Sequence, residues 1–209
     1  MSFTNACFIS YRHAGAASEI VRRLCSTLSE QLALLSANYP VYVDTKRLLP
    51  GDYLDDELAE QLCRSTCMVL LFTPEYFDLE HPYCAREYAG MQKIEETRRD
   101  ALPAAYRNKS LVIPVVIRGE KHVPDELKPK LCASLDDVLL IASDVRKKAV
   151  VRRVRQVAEA VFERITAMRQ AGGNLTQNCS QFRFPTTQEI DPWLRTVAPP
   201  PLSSPVQAV

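Results

Sequence analysis

The stretch Cys67-Met68-Val69-Leu70-Leu71-Phe72 is an unbroken apolar run, and Pro74 follows it closely. In a strand that is covered on one face only, apolar and polar residues alternate, whereas a parallel strand covered on both faces is apolar throughout. The stretch therefore predicts the central strand of a parallel sheet whose two faces are both covered by helices.

Apolar residues elsewhere in the chain recur with the spacing of either a short buried strand or an amphipathic helix. The predicted strands span residues 6–11, 41–44, 111–117 and 137–141, and the predicted helices span residues 17–36, 53–64, 83–100 and 145–170. Pro114 lies inside the fourth strand, and because proline cannot donate to the ladder, it predicts an irregular or less central strand there. The alternation of strands and helices favours an α/β domain with right-handed crossovers.

The composition is that of an ordinary globular chain with almost no net charge. Its 209 residues include 26 lysine and arginine residues against 25 aspartate and glutamate residues, which gives a net charge of +1. This balance provides no overall field that would attract nucleic acid or an anionic membrane, so neither is expected as a partner. The N-terminus lacks the features of a signal peptide, and no apolar stretch approaches the roughly 18 residues of a membrane-spanning helix. We therefore expect a cytoplasmic protein.

The cysteines predict free thiols and no metal site. Their number, seven, is odd, and most of them lie in apolar segments, where a thiol behaves as a small hydrophobic group. In a reducing compartment such thiols stay reduced, so disulfides are not expected. Cys63 and Cys67 lie at a helix end and in a strand, which is not the spacing of zinc ligands.

Residues 172–209 differ in composition from the domain that we predict for residues 1–171. Six of the fourteen prolines lie beyond Gly173, together with several serine, threonine and glutamine residues. Such a segment buries too little apolar surface to offset the entropy of ordering it, so we expect a largely extended, proline-rich tail. Phe182, Phe184 and Trp193 could pin this tail to the domain. It could dock a partner, although a dispensable extension is the favoured interpretation.

In a sheet of this kind, ligands bind beyond the carboxyl ends of the strands. The segments to examine are therefore residues 10–15, 44–51 and 73–87.

The sequence Phe8-Ile9-Ser10-Tyr11-Arg12-His13 resembles the first conserved box of Toll/interleukin-1 receptor (TIR) domains. The second strand and BB loop of that family are similar to Asp44 with Leu48-Leu49-Pro50-Gly51. Its third strand and following helix are similar to residues 65–72 with Pro74, Tyr76 and Tyr83-Cys84-Ala85-Arg86-Glu87. The order and spacing of these pieces carry the resemblance, which extends to near residue 170. Many members have Trp-Cys where this chain has Tyr83-Cys84.

The resemblance implies a flavodoxin-like fold, with a five-stranded parallel sheet in the order 2-1-3-4-5. It also implies an enzyme that cleaves NAD+ as a substrate, with no cofactor, of the bacterial type found in antiphage systems such as Thoeris. Glu87 stands at the position of the catalytic glutamate. The residues that the resemblance and their location suggest for substrate binding are Ser10, Tyr11, Arg12, Asp44, Leu49, Gly51, Tyr83 and Cys84.

Glu87 suits this chemistry for a physical reason. Cleavage of the bond between nicotinamide and ribose passes through an oxocarbenium-like ribose, whose developing positive charge a carboxylate can stabilise. Nicotinamide is already a cationic leaving group in NAD+, so no strong general acid is needed. The guanidinium of Arg12 could bind the pyrophosphate in a forked geometry. No Gly-x-Gly-x-x-Gly motif follows the first strand and no Walker loop is present, which argues against a hydride-transfer cofactor and against an NTPase.

Two other functions remain open. TIR domains can act as non-enzymatic adaptors that self-associate, here through the loop around Leu48 to Gly51, and self-association can also activate the enzymes. A nucleoside deoxyribosyltransferase-like enzyme is a weaker alternative, since such enzymes use a related sheet and a glutamate at the sugar. A downstream effector protein that responds to a nucleotide signal would be a further partner. A response-regulator domain needs paired acids after the first strand, where this chain has Arg12-His13.

Overall fold

Five parallel strands form one sheet in the order β2-β1-β3-β4-β5. The computed structural model describes residues 3–13, 17–35, 39–43, 52–137, 148–172 and 174–198. The strands are β1 (Cys7–Tyr11), β2 (Val41–Val43), β3 (Met68–Phe72), β4 (Val112–Val116) and β5 (Ala133–Ser134). This order and the parallel pairing of every neighbouring pair confirm the predicted flavodoxin-like α/β fold.

Helices cover both faces of the sheet. They are α1 (Ala17–Leu34), α2 (Asp52–Cys63), α3 (Tyr83–Arg99), α4 (Lys148–Ala171) and α5 (Thr187–Val197). Helix α1 packs on α4, while α2 and α5 both pack on α3. Every residue of β3 is buried, as the unbroken apolarity of this strand predicts.

Side chains alternate between the two faces along each strand, and this alternation positions the site. Ile9 of β1 and Val69 of β3 line a small apolar void against α1 and α4. Because successive residues of a strand point to opposite faces, Phe8 and Ser10 point towards α2 and α3 instead. Ser10 is therefore the polar residue that β1 presents to the helix carrying Glu87.

Pro114 lies in β4, which is paired on both sides but is second from the edge of the sheet, so the predicted less central position is confirmed. The carbonyl of Pro114 accepts a hydrogen bond from the backbone N–H of Cys132 at 3.0 Å, just before β5 begins. The nitrogen of a strand residue points to the same side as its carbonyl, so the missing donor faces the short β5 and not β3. The proline therefore removes no hydrogen bond between β4 and the central strand β3.

The fifth strand of the sheet lies a few residues before the predicted range of 137–141. The structure places β5 at Ala133–Ser134, and Asp137 lies outside any strand, whereas residues 138–141 lie outside the described residues. The prediction chose residues 137–141 because they are more apolar than the neighbouring residues 133–134. A strand of only two residues has no periodicity that would reveal it.

The chain after Gly173 also departs from the extended conformation that its composition predicts, because residues 187–197 form α5. Thr186 caps this helix: its side chain accepts a hydrogen bond from the backbone N–H of Glu189, and the carboxylate of Glu189 accepts one from the backbone N–H of Thr186. Ile190 and Leu194 are buried, which supplies the apolar contact that the composition seemed to lack. Phe182, Phe184 and Trp193 pack against the core, in keeping with the pinning role considered for them.

A disulfide joins Cys63 at the end of α2 to Cys179, with a Cα–Cα distance of 5.4 Å. The prediction that all cysteines are free is therefore wrong for this pair. The other five, Cys7, Cys25, Cys67, Cys84 and Cys132, are free thiols. The sequence could not show the pairing, because the two partners are 116 residues apart and meet only through the folding of the C-terminal segment.

Within the described ranges, no helix is both long enough and apolar enough to cross a membrane.

Candidate active site

Glu87 lies buried behind the carboxyl end of β1, with only 2% of its surface exposed. It belongs to the second turn of α3, and its Oε2 accepts a hydrogen bond from the hydroxyl of Ser10 at 2.5 Å. Cys84 and Met91, one turn before and after it, are also buried, so this face of α3 is turned towards the sheet as their spacing indicates. The structure thus brings together Glu87 and Ser10, which are 77 residues apart in the sequence.

Tyr76 extends this contact to a third residue. Its hydroxyl lies 2.6 Å from the hydroxyl of Ser10, and the tyrosine is completely buried. A serine hydroxyl has one proton, so when Ser10 donates to Glu87, Tyr76 donates to Ser10. The result is a hydrogen-bonded chain from Tyr76 through Ser10 to Glu87, in which each bond polarises the next. Such a chain fixes the orientation of the carboxylate.

Arg12 lies beyond the end of β1 and pairs with Asp78. Its Nη2 is 3.3 Å from the Oδ2 of Asp78, and the two side chains are 23% and 27% exposed. The Nε of Arg12 is buried and has no hydrogen-bond partner among the residues that the structure describes. The guanidinium of Arg12 therefore has one N–H donor that makes no hydrogen bond to the described residues, and its ion pair with Asp78 is only partly shielded from water.

The other predicted substrate-binding residues occupy different environments. Tyr11 follows Ser10, so its side chain leaves the opposite face of the strand, where its ring contacts that of His13 at 4.1 Å. Cys84 is buried, with 1% exposure, whereas Tyr83 is 48% exposed at the surface, with the guanidinium of Arg86 above its ring. The remaining three, Asp44, Leu49 and Gly51, lie outside the described residues.

Two residues of the site were not among the predicted ones. Tyr76 and Asp78 lie in the loop between β3 and α3, and they contact Ser10 and Arg12 respectively. Tyr76 could have been predicted as a site residue, because it belongs to the stretch that carries the resemblance and follows the carboxyl end of a strand. Asp78 lies in the same segment, but the sequence does not show its pairing with Arg12, because that contact depends on the loop conformation.

Tyr88, which follows Glu87, is fully buried beside the site. Burial raises the pKa of its hydroxyl well above the ordinary value, and the nearby carboxylate of Glu126 raises it further. Tyr88 therefore stays neutral and adds no charge beside Glu87. The carboxylate of Glu87 thus lies in an environment that excludes water, where the field of a charged group on a neighbouring cation is stronger than it would be in bulk solvent.

Comparison with known proteins agrees with this architecture. A sequence model of the TIR domain matches residues 7–150, which is more than half of the chain. A relative named "Probable 2' cyclic ADP-D-ribose synthase BdTIR", from Brachypodium distachyon, is 28% identical over 124 residues; these cover 58% of this chain and 50% of the relative. The chain therefore spans about half the length of that curated relative. The matched range contains the whole described sheet together with Ser10, Tyr76 and Glu87, and the chain belongs to the TIR domain family.

Proposed function

We propose that this TIR domain cleaves the bond between nicotinamide and ribose in NAD+, with Glu87 as its catalytic residue. The observation that carries the proposal is the buried carboxylate of Glu87, held by Ser10 at the carboxyl end of the sheet. Membership of the TIR family supports it, as does the relative that is named as a cyclic ADP-ribose synthase. ADP-ribose is the part of NAD+ that remains when nicotinamide leaves.

The reaction begins when the C–N bond breaks and its electron pair moves to the nicotinamide ring, which leaves as a neutral molecule. The ribose carbon then carries positive charge, and the carboxylate of Glu87 stabilises it at close range. Tyr76 and Ser10 keep the carboxylate aligned, so little reorganisation is needed as the charge develops. Capture by water gives ADP-ribose and a proton, whereas capture by a hydroxyl of the same nucleotide gives a cyclic product and a proton.

Arg12 is proposed to bind the pyrophosphate of the substrate. Its ion pair with Asp78 is partly exposed, so exchanging that carboxylate for a phosphate costs little. The unpartnered Nε allows the guanidinium to bind two phosphate oxygens in its forked geometry. Tyr11, Tyr83 and Cys84, and also Asp44, Leu49 and Gly51, remain proposed substrate-binding residues.

The product is proposed to be a nucleotide signal for a separate effector protein, in the setting of antiphage defence. This setting rests on the resemblance of the sequence to bacterial TIR enzymes. Self-association of the domain is proposed as the activating step, since a neighbouring chain could complete the site.

The test is to measure nicotinamide release from NAD+ by the purified chain and by its Glu87→Gln variant. The substitution keeps the size of the side chain and an acceptor for Ser10, but it removes the negative charge. We expect the rate to fall by about 10²–10³-fold, the range seen when one such electrostatic group is lost. Glu96→Gln is the matched control, because Glu96 lies on the same helix with an exposed side chain.

The assay should cover a wide range of protein concentrations, because assembly is favoured at high concentration. Mass spectrometry of the products then separates linear from cyclic ADP-ribose. Equal rates for the wild type and Glu87→Gln would contradict the role of Glu87. A wild-type chain that is folded but releases no nicotinamide at any concentration would contradict the enzymatic function and leave a non-enzymatic adaptor.

A further inference from the structure

The chain beyond residue 173 folds back across the helix that carries Glu87. The disulfide described above fastens it to the end of α2. The carbonyl of Pro185 accepts a hydrogen bond from Arg86 Nε on α3 at 2.8 Å. Phe184 lies so close to Gly90 of α3 that an added Cβ there would be 3.0 Å from its ring. We name residues 174–198 the C-terminal strap; it lies outside residues 7–150, which the TIR sequence model matches.

Trp193 of the strap packs against two segments that lead into the site. Its ring stacks on Tyr88 of α3 at a centroid distance of 5.5 Å and an angle of 16°. It meets Phe77, in the loop after β3, edge-on at 5.5 Å and 89°. The indole Nε1 donates to Glu126 Oε2 at 2.8 Å, which fixes the orientation of the ring. Trp193 therefore joins the loop after β3 to α3.

Each ring partner of Trp193 is the sequence neighbour of a residue in the hydrogen-bonded chain of the site. Tyr88 follows Glu87, and Phe77 follows Tyr76. A shift of the ring of Tyr88 or Phe77 therefore also displaces the backbone of Glu87 or Tyr76. We propose that Trp193 is a positioning residue, which keeps Glu87 and Tyr76 aligned through these two rings during cleavage of NAD+. This inference rests on the proposed function.

The alignment matters because the hydrogen-bonded chain joins three separate segments, β1, the loop after β3 and α3, so a displacement of any one of them changes its geometry. Displacements of about 1 Å at a reacting centre can lower a rate by about 10²-fold. Loss of alignment weakens stabilisation of the transition state more than it weakens substrate binding. The effect of Trp193 should therefore appear in kcat and not in KM.

The experiment uses the full chain with Trp193→Leu, which keeps apolar volume but removes the flat ring, and Trp193→Phe, which keeps a ring. Gln188→Ala is the control, since Gln188 is exposed on the same helix. Nicotinamide release is measured as a function of NAD+ concentration. For Trp193→Leu we expect kcat to fall by about tenfold or more and KM to change by less than about threefold. Trp193→Phe should restore kcat to within about threefold of the wild type, and Gln188→Ala should leave it unchanged.

A second measurement does not depend on how well the leucine variant folds. Trp193 is the single tryptophan of the chain, so fluorescence excited at a wavelength that tyrosine does not absorb reports its environment alone. We expect the emission of the Glu87→Gln variant, which is expected to cleave NAD+ slowly, to shift when NAD+ is added at concentrations that calorimetry shows to be saturating. Unchanged emission at saturation would mean that the ring is not coupled to the site.

The outcomes separate this proposal from the function on which it rests. If the wild type and a folded Trp193→Leu variant release nicotinamide with the same kcat, the positioning role is wrong and the enzymatic function stands. If kcat and KM deteriorate together and Trp193→Phe restores neither, Trp193 is only structural. If the wild type releases no nicotinamide at any protein concentration, both proposals fail.

Discussion

Replacing both Cys63 and Cys179 by serine should lower the free energy of unfolding, because their bond closes a loop with a sequence separation of 116 residues. For a loop of this length, the chain-entropy relation gives a stabilisation of about 5 kcal/mol near room temperature. Residual structure in the unfolded chain reduces this value, and measured disulfides commonly contribute about 2–4 kcal/mol. We therefore expect the double variant to lose about 2–5 kcal/mol.

Urea unfolding followed by far-UV circular dichroism measures this loss through linear extrapolation. Reduction of the wild type with dithiothreitol should reproduce the effect of the double variant, and the reductant should have no effect on the double variant itself. Cys132→Ser is the control, because Cys132 is a half-buried free thiol. If the oxidised and reduced wild type differ by less than about 0.5 kcal/mol, the disulfide does not hold the strap as we infer.

The remaining predictions concern the free thiols, the site and pH. Thiol titration of the chain unfolded without reductant should give the five free cysteines, and reduction should raise the count to the seven of the sequence; seven before reduction would contradict the disulfide. Ser10→Ala should reduce nicotinamide release by about 10- to 150-fold, because it removes a charge-assisted hydrogen bond, commonly worth about 1.5–3 kcal/mol, from Glu87. An unchanged kcat would show that the orientation of the carboxylate does not depend on Ser10. Burial raises the pKa of Cys25 and Cys67 from the ordinary 9.0 to about 12. Between these values the unfolded chain releases protons that the folded chain retains, so the free energy of unfolding should fall as the pH rises through 9.0. Urea unfolding across this range tests the trend, and a Cys25→Ala/Cys67→Ala variant should show a smaller fall.

The parts of the fold that the sequence predicts well are those where burial leaves a periodic pattern. The apolar run of β3 is covered on both faces, and the alternation along β1 separates Ser10 from Tyr11. Glu87 was singled out by the resemblance to TIR domains, and its helical spacing from Cys84 and Met91 agrees with its place on the buried face of α3. Each of these inferences uses contacts within one strand or one helix.

The parts that the sequence did not predict depend on contacts between distant segments. Pro114 is tolerated in β4 only because β5 is short on that side. The pairing of Cys63 with Cys179 appears only once the strap has folded. The capping pair Thr186 and Glu189 is a local signal for α5 that the proline-rich composition obscured.

The burial of Glu87, with 2% of its surface exposed, limits when the proposed substrate can bind. If NAD+ is the substrate as proposed, it cannot reach a carboxylate that is enclosed to this degree until the structure opens. When the competent form is a small fraction of the molecules, apparent affinity falls in proportion to that fraction. On the proposed function, the closed chain therefore turns NAD+ over slowly, and whatever stabilises the open form activates it.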